Sequence, residues 1–197
     1  MDEAAIKTRW DDGNLQLKRH IKPAKDVLFF NKMLFWVKHY TDSILNDVPS
    51  KLPKIYISGF SNGAMFCSRL TMDAADKITA AAVVSTALPK ATLQQPAQPV
   101  PTLIMYGTKD QRIIDTLKNY TNVYPTNPAD FAANIFLQSI VSWHLNRNQL
   151  ANNFSGPING NDYKLIYNTP NSSRTDDRKY FEIQVYKGLI HKYPFNN

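Results

Sequence analysis

Cysteine is almost absent. Cys67 stands alone among 197 residues, so no internal disulfide can tie the chain together, and a single thiol on an apolar stretch reads as a buried structural group. Long hydrophobic runs are missing too: nothing approaches the eighteen or so apolar residues that a bilayer crossing needs, and no membrane association is expected. The opening stretch from Met1 to Trp10 is polar and charged, without the pattern of a secretory leader. Charge of one sign is in excess but not clustered. The net charge of +7, from 23 basic and 16 acidic residues, would permit contact with nucleic acid or an anionic surface. No run of about five like charges and no interleaving of basic and aromatic residues supports that use, so the lysines read as solvated charge and no specific nucleic-acid partner is expected.

What is present suffices for a core. Hydrophobic residues make up 43% of the chain and aromatics 12%, which at this length predicts one folded domain over 1–197. Trp10-Asp11-Asp12-Gly13 reads as a turn, and Lys18 to Lys25 as a basic connector. From Ala24 to Leu45, Val27, Leu28, Phe30, Leu34, Val37 and Ile44 recur at helical spacing, predicting a long amphipathic helix that Pro49 and Pro53 close off. Ala80 to Ser85 is read as a short buried strand ahead of a Pro96–Pro101 linker, and Thr102 to Tyr106 as a second. A single helix is predicted over Ala129 to Leu145, a polar loop over Asn146 to Asp162, a short strand over Tyr163 to Tyr167, a solvated loop over Thr169 to Lys179, and a last strand over Tyr180 to Tyr186.

The most informative stretch is Lys54 to Met65. A short β-rich run, Ile55-Tyr56-Ile57, leads into Gly59-Phe60-Ser61-Asn62-Gly63 and then into helical residues from Ala64 to Leu70. A serine between two glycines at a strand-to-helix junction suits a nucleophile elbow, in which the glycines let strand and helix approach while the serine hydroxyl is thrust outward. A small-residue turn with the same letters by chance is the competing reading. Asp110 follows the Thr102–Tyr106 strand in Gly107-Thr108-Lys109-Asp110. It suits both a catalytic carboxylate at a strand end and a turn aspartate that binds its own backbone. Of four histidines, His20, His39 and His144 lie on a connector or on helices, where surface or packing roles are expected. His191 lies in a loop opened by Gly188 after a late strand, completing a Ser, Asp, His chain order.

With these motifs in place, the chain resembles the α/β-hydrolase esterases of the polyhydroxybutyrate depolymerase and feruloyl esterase type, in the LpqC-like branch. The matching pieces are Trp10-Asp11-Asp12-Gly13, Lys25-Asp26-Val27-Leu28-Phe29, Ile55 to Met65, Pro101 to Asp110, the helix carrying Trp143, and Tyr186 to Pro194. The resemblance implies a mostly parallel sheet with helices on both faces, shortened at its N-terminus to a partial domain. It also implies a Ser61-Asp110-His191 triad with the Asn62 backbone N–H as one oxyanion donor, no cofactor and no metal. The substrate would be a small-molecule or polymeric ester. Two departures stand out: no His-Gly type loop supplies a second oxyanion donor, and Leu189-Ile190 replace the family's glycine pair. A hydrolase-like module that binds a ligand without catalysis therefore stays open, as does a basic surface-binding protein. With the family's first strands absent, Ile55 to Ile57 would form a bare sheet edge, predicting a homodimer through that edge or marginal stability.

Overall fold

The computed structural model describes Trp10 and residues 25–44, 54–86, 98–117, 127–156, 158–159, 162–168 and 179–194. The turn at Asp11 to Gly13, most of the basic connector with His20, Ala24, Leu45, Pro49, Pro53 and the loop over 169–178 lie outside them. Helix α1 (Asp26–Ile44) starts at an aspartate, whose charge suits the positive end of a helix dipole. Strand β1 (Tyr56–Phe60) runs into α2 (Asn62–Asp73), followed by β2 (Ala80–Val84), β3 (Thr102–Gly107) and α3 (Gln111–Leu117). Then come α4 (Pro128–Ala133), α5 (Ile135–Asn148), β4 (Ile158–Asn159), β5 (Asp162–Asn168) and β6 (Tyr180–Tyr186).

The fold is α/β. Among the described residues six strands form one sheet in the order β1-β2-β3-β6-β5-β4. β1, β2, β3 and β6 are mutually parallel, and β5 and β4 continue antiparallel beyond β6. Parallel neighbours need long crossovers, and α2 supplies the first of them. The register aligns Ile57 with Ala81, Val83 with Ile104, Ile104 with Ile183 and Ile183 with Leu165, so one face is apolar from edge to edge. Ile104, Tyr106, Leu165, Tyr167, Phe181, Ile183 and Val185 are buried there beneath Ala64 and Cys67 of α2, Phe131 of α4, and Leu137, Ile140 and Val141 of α5. Burial of each Val, Leu, Ile or Phe side chain among them contributes roughly 1.5–3 kcal/mol. A second cluster joins Val27, Phe30 and Leu34 of α1 to Phe66 and Leu70 of α2, with Ile57 at its margin.

Two expectations are corrected. The described helices pack on one face of the sheet, not on both. The opposite face of β5 and β6 carries Lys164, Glu182 and Gln184, where Gln184 Nε2 donates to Glu182 Oε1 (2.6 Å), Tyr180 donates to Glu182, and Tyr186 to Gln184. Glu182 is itself buried and Gln184 half-buried, so these hydrogen bonds satisfy polar groups on that side that water reaches only in part. Second, the helix expected over Ala129–Leu145 is two helices broken at Asn134, whose Oδ1 accepts from Leu137 N–H (3.0 Å) and caps α5. α3 and β4 were not anticipated, and α5 extends into the stretch expected to be loop.

Buried polar groups fix how α5 sits. The Arg147 guanidinium donates to Thr71 Oγ1 (2.8 Å), the Val100 carbonyl (3.0 Å) and Thr102 Oγ1 (3.2 Å), tying α5 to α2 and β3. Burial lowers its pKa to about 10. His144 is buried and stacked on Phe181 at 4.4 Å, in line with the packing role expected for it. Cys67 is buried as expected, and burial raises its thiol pKa to about 11.

Candidate active site

The carboxyl ends of β1, β2, β3 and β6 lie side by side, which is where open α/β sheets hold their ligands. Ser61 follows β1, Asp110 lies beyond β3, and His191 lies beyond β6. Chain order alone therefore brings three chemistry-bearing residues to one end of the sheet.

At the elbow, Gly59 is pressed against the first turn of α2. A Cβ at this position would lie 2.4 Å from the Gly63 carbonyl oxygen, so only glycine fits. Gly63, expected to serve the same purpose, meets nothing within 4 Å, and its role is to present the carbonyl that Gly59 touches. Ser61 adopts φ 55° and ψ −120°, a left-handed backbone costing of order 1–3 kcal/mol for a non-glycine residue. Two bonds hold it there: its N–H donates to the Val84 carbonyl (3.0 Å), and its carbonyl accepts from Met65 N–H (3.1 Å). Its side chain does not cap α2. The hydroxyl at the tip of the turn is therefore not spent on the helix it precedes.

Asp110 is completely buried and does two things at once. Oδ1 accepts from Arg112 N–H (3.1 Å) and Ile113 N–H (3.4 Å), which starts the short helix α3. Both carboxylate oxygens also lie 2.9 Å from His191 Nδ1. The turn reading and the carboxylate–histidine reading of this residue thus hold together. An ionised carboxylate only accepts, so opposite it the neutral imidazole takes the tautomer with the proton on Nδ1 and the lone pair on Nε2. Burial first, and then the charge of Asp110, raise the pKa of the Tyr106 hydroxyl, which donates to the Thr86 carbonyl (3.1 Å).

The Asp110 and His191 loops are stitched together through backbone. Thr108 N–H donates to the Tyr186 carbonyl (3.0 Å), Lys109 N–H to the Leu189 carbonyl (2.9 Å), and Gly188 N–H to Thr108 Oγ1 (2.9 Å). Gly107 permits this closeness, since a Cβ there would fall 2.2 Å from the Leu189 carbonyl oxygen. The imidazole then packs against Phe60 with centroids 4.5 Å apart, and Tyr193 packs on the same ring at 5.2 Å. Phe60 directly precedes Ser61, so this contact carries the histidine from the β6 side of the sheet to the elbow.

The three residues do not close into a continuous hydrogen-bonded chain. His191 Nε2 is buried and has no hydrogen-bond partner, so the expected short link from Ser61 Oγ is not formed while the Asp110–His191 link is. The physical reason is anchorage: Asp110 and Phe60 set the ring, and neither contact draws the serine hydroxyl toward it. Links of this kind are often long without substrate and tighten in the reacting complex. Asn62 opens α2, and its N–H precedes the first intrahelical bond, from Met65 N–H to Ser61. Among the described residues no cluster of His, Cys, Asp and Glu is arranged to hold a metal, and no described helix is long and apolar enough to cross a membrane.

Sequence reasoning passed over three residues here. In the motif Phe60 is only the variable position between Gly59 and Ser61. Trp10 was read as part of a turn, yet its backbone binds the Asn62 side chain. Ser85, buried after β2, also has φ 55° and donates its N–H to the Met105 carbonyl (2.9 Å). Its only signal is a serine ending an apolar strand. Neither a family model nor a curated protein matches this chain, so the resemblance to α/β-hydrolase esterases rests on the residues themselves.

Proposed function

We propose that this chain is a serine carboxylic-ester hydrolase of the α/β-hydrolase fold, acting through Ser61, His191 and Asp110 on a polyester or carbohydrate-linked ester. One observation carries the reading: the buried Asp110 carboxylate holds His191 through Nδ1, against the residue that precedes a strained elbow serine. In the proposed reaction His191 Nε2 takes the proton from Ser61 Oγ as the oxygen bonds to the ester carbonyl carbon. Negative charge develops on the carbonyl oxygen, with the Asn62 N–H as a donor to it, and Asp110 stabilises the imidazolium. Collapse breaks the bond to the alcohol oxygen, which takes the proton from His191. Water, deprotonated by the same imidazole, then releases the acid and regenerates Ser61.

A second reading has its own support. The missing Ser61–His191 hydrogen bond favours a ligand-binding module that keeps the hydrolase frame without catalysis. Hydrolysis of p-nitrophenyl acetate separates the two. The catalytic reading expects turnover that Ser61→Ala lowers by about ten-thousandfold or more. Equal rates for parent and variant, or no rate above the uncatalysed one, would reject it.

A further inference from the structure

From the contact between Trp10 and Asn62 we infer that Trp10 straps the first turn of α2 and is a positioning residue for the Asn62 N–H; the catalytic half of this statement rests on the function proposed above. The contact joins residues 52 positions apart. Trp10 N–H donates to Asn62 Oδ1 (2.8 Å), Asn62 Nδ2 donates back to the Trp10 carbonyl (3.4 Å), and the Trp10 ring lies on Phe66 at 5.0 Å and 6°. Phe66 is itself buried between α1 and α2. The ring therefore fixes the strap to the body of the domain, and the paired amide bonds fix the Asn62 side chain to the strap.

The need for such a device follows from the elbow. Ser61 holds a strained backbone and gives α2 no side-chain cap, and the next residue after Asn62 is a glycine whose side-chain direction is open space. A helix start with strain before it and glycine after it gains little rigidity from its own residues. Locking the Asn62 side chain at both its oxygen and its nitrogen orients the peptide that carries its N–H. An oxyanion donor is effective only when preorganised, and removing one elsewhere costs about a hundredfold to a thousandfold in kcat. Loosening one rather than deleting it should cost about ten- to a hundredfold.

The test uses the full chain with Trp10→Ala, Trp10→Phe and Asn62→Asp. Asn62→Asp keeps the acceptor for Trp10 N–H but sets an oxygen against the Trp10 carbonyl. Amide hydrogen exchange at residues 62–64 is expected to accelerate about tenfold in Trp10→Ala and Asn62→Asp, with Trp10→Phe near the parent and exchange in β3 and β6 unchanged. On p-nitrophenyl acetate, kcat should fall about ten- to a hundredfold with KM unchanged, and Trp10→Phe should recover most of it. Parent-like exchange at 62–64 in both disrupting variants would overturn the strap. Acceleration spread equally over β3 and β6 would overturn it too, by reducing Trp10 to a general stabiliser. Faster local exchange with an unchanged kcat would overturn the positioning role. A parent without esterase activity would reject the proposed function, and with it the positioning role, while the exchange rates still decide the strap.

Discussion

Replacing Gly107 with alanine puts a methyl group where the Asp110 and His191 loops touch. Its Cβ would stand 2.2 Å from the Leu189 carbonyl oxygen and 2.7 Å from the carbonyl carbon, and both are backbone atoms that no rotamer change can clear. Reaching an ordinary contact distance requires a movement of about 1 Å. Overpacking of this kind costs about 1–3 kcal/mol, and the same movement strains the bonds from Lys109 N–H to Leu189 and from Thr108 N–H to Tyr186, each worth about 0.5–1.5 kcal/mol. A destabilisation of about 2–4 kcal/mol is expected in urea unfolding followed by circular dichroism. Leu189 lies two residues before His191 in the loop that sets the imidazole against Asp110, so kcat should fall about a hundredfold as well. Gly63→Ala is the matched control, since it meets nothing within 4 Å and lies in a helix, where alanine is favoured by up to about 1 kcal/mol. If Gly107→Ala were as stable and as active as the parent, the two loops would not be in contact and the account of how His191 is positioned would fail.

Three further outcomes follow from the same physics. Burial, with the Arg147 charge adding to it, holds the His144 pKa well below its usual range, so the unfolded chain takes up a proton near pH 6.5 that the folded chain refuses. Stability should therefore decline as pH falls below about 6.5, by up to about 1.4 kcal/mol per unit from this group, and urea midpoints for His144→Phe should fall less steeply; an unchanged slope would refute this. Arg147→Ala removes the guanidinium donor from Thr71 Oγ1 and Thr102 Oγ1 and leaves the Val100 carbonyl with only the Thr102 hydroxyl (2.9 Å), and should cost about 3 kcal/mol, while Arg147→Met, which keeps the volume without burying a charge, should cost less; the reverse order in melting experiments would contradict the reading. Among the described strands β1 lies at the end of the sheet, Tyr56 on it is 65% exposed, and α1 turns Phe35 (74%) and Trp36 (64%) outward, so sedimentation should find dimers or larger species that Tyr56→Lys with Trp36→Glu reduces to monomer. A stable parent monomer would remove that expectation.

The chain order, the strand ends and the need for Gly59 were legible because each depends on local chemistry: a strand must stop, a turn must tolerate strain, and a buried carboxylate must find donors, whereas the close approach at Gly107 depends on Leu189, far along the chain. The Asn134 break between α4 and α5 was hidden because apolar spacing runs on through it from Phe131 to Ile140, and only the capping bond to Leu137 reveals a new start. α3 is too short to show a period, and it exists because Asp110 caps it. That the described helices gather on one face follows from the alternation of apolar and polar side chains along β6, where Phe181, Ile183 and Val185 join the core beneath the helices and the polar Glu182 and Gln184 take the other face, although Glu182 is buried as well. Such alternation can be read in a sequence, but the expectation of two covered faces came from the family resemblance and overrode it. The Trp10–Asn62 pairing was out of reach, because nothing local in either residue specifies a partner 52 positions away.

The central claim is that Asp110 and His191 activate Ser61, and a fluorophosphonate tests it because it bonds rapidly to an activated serine hydroxyl and only slowly to an ordinary one. Intact-mass measurement after brief exposure should show one adduct per chain, mapped to Ser61 by peptide sequencing, absent from Ser61→Ala and formed at least about a hundredfold more slowly in His191→Gln. An unlabelled parent, an adduct on another residue, or a His191→Gln variant labelled at the parent rate would contradict it.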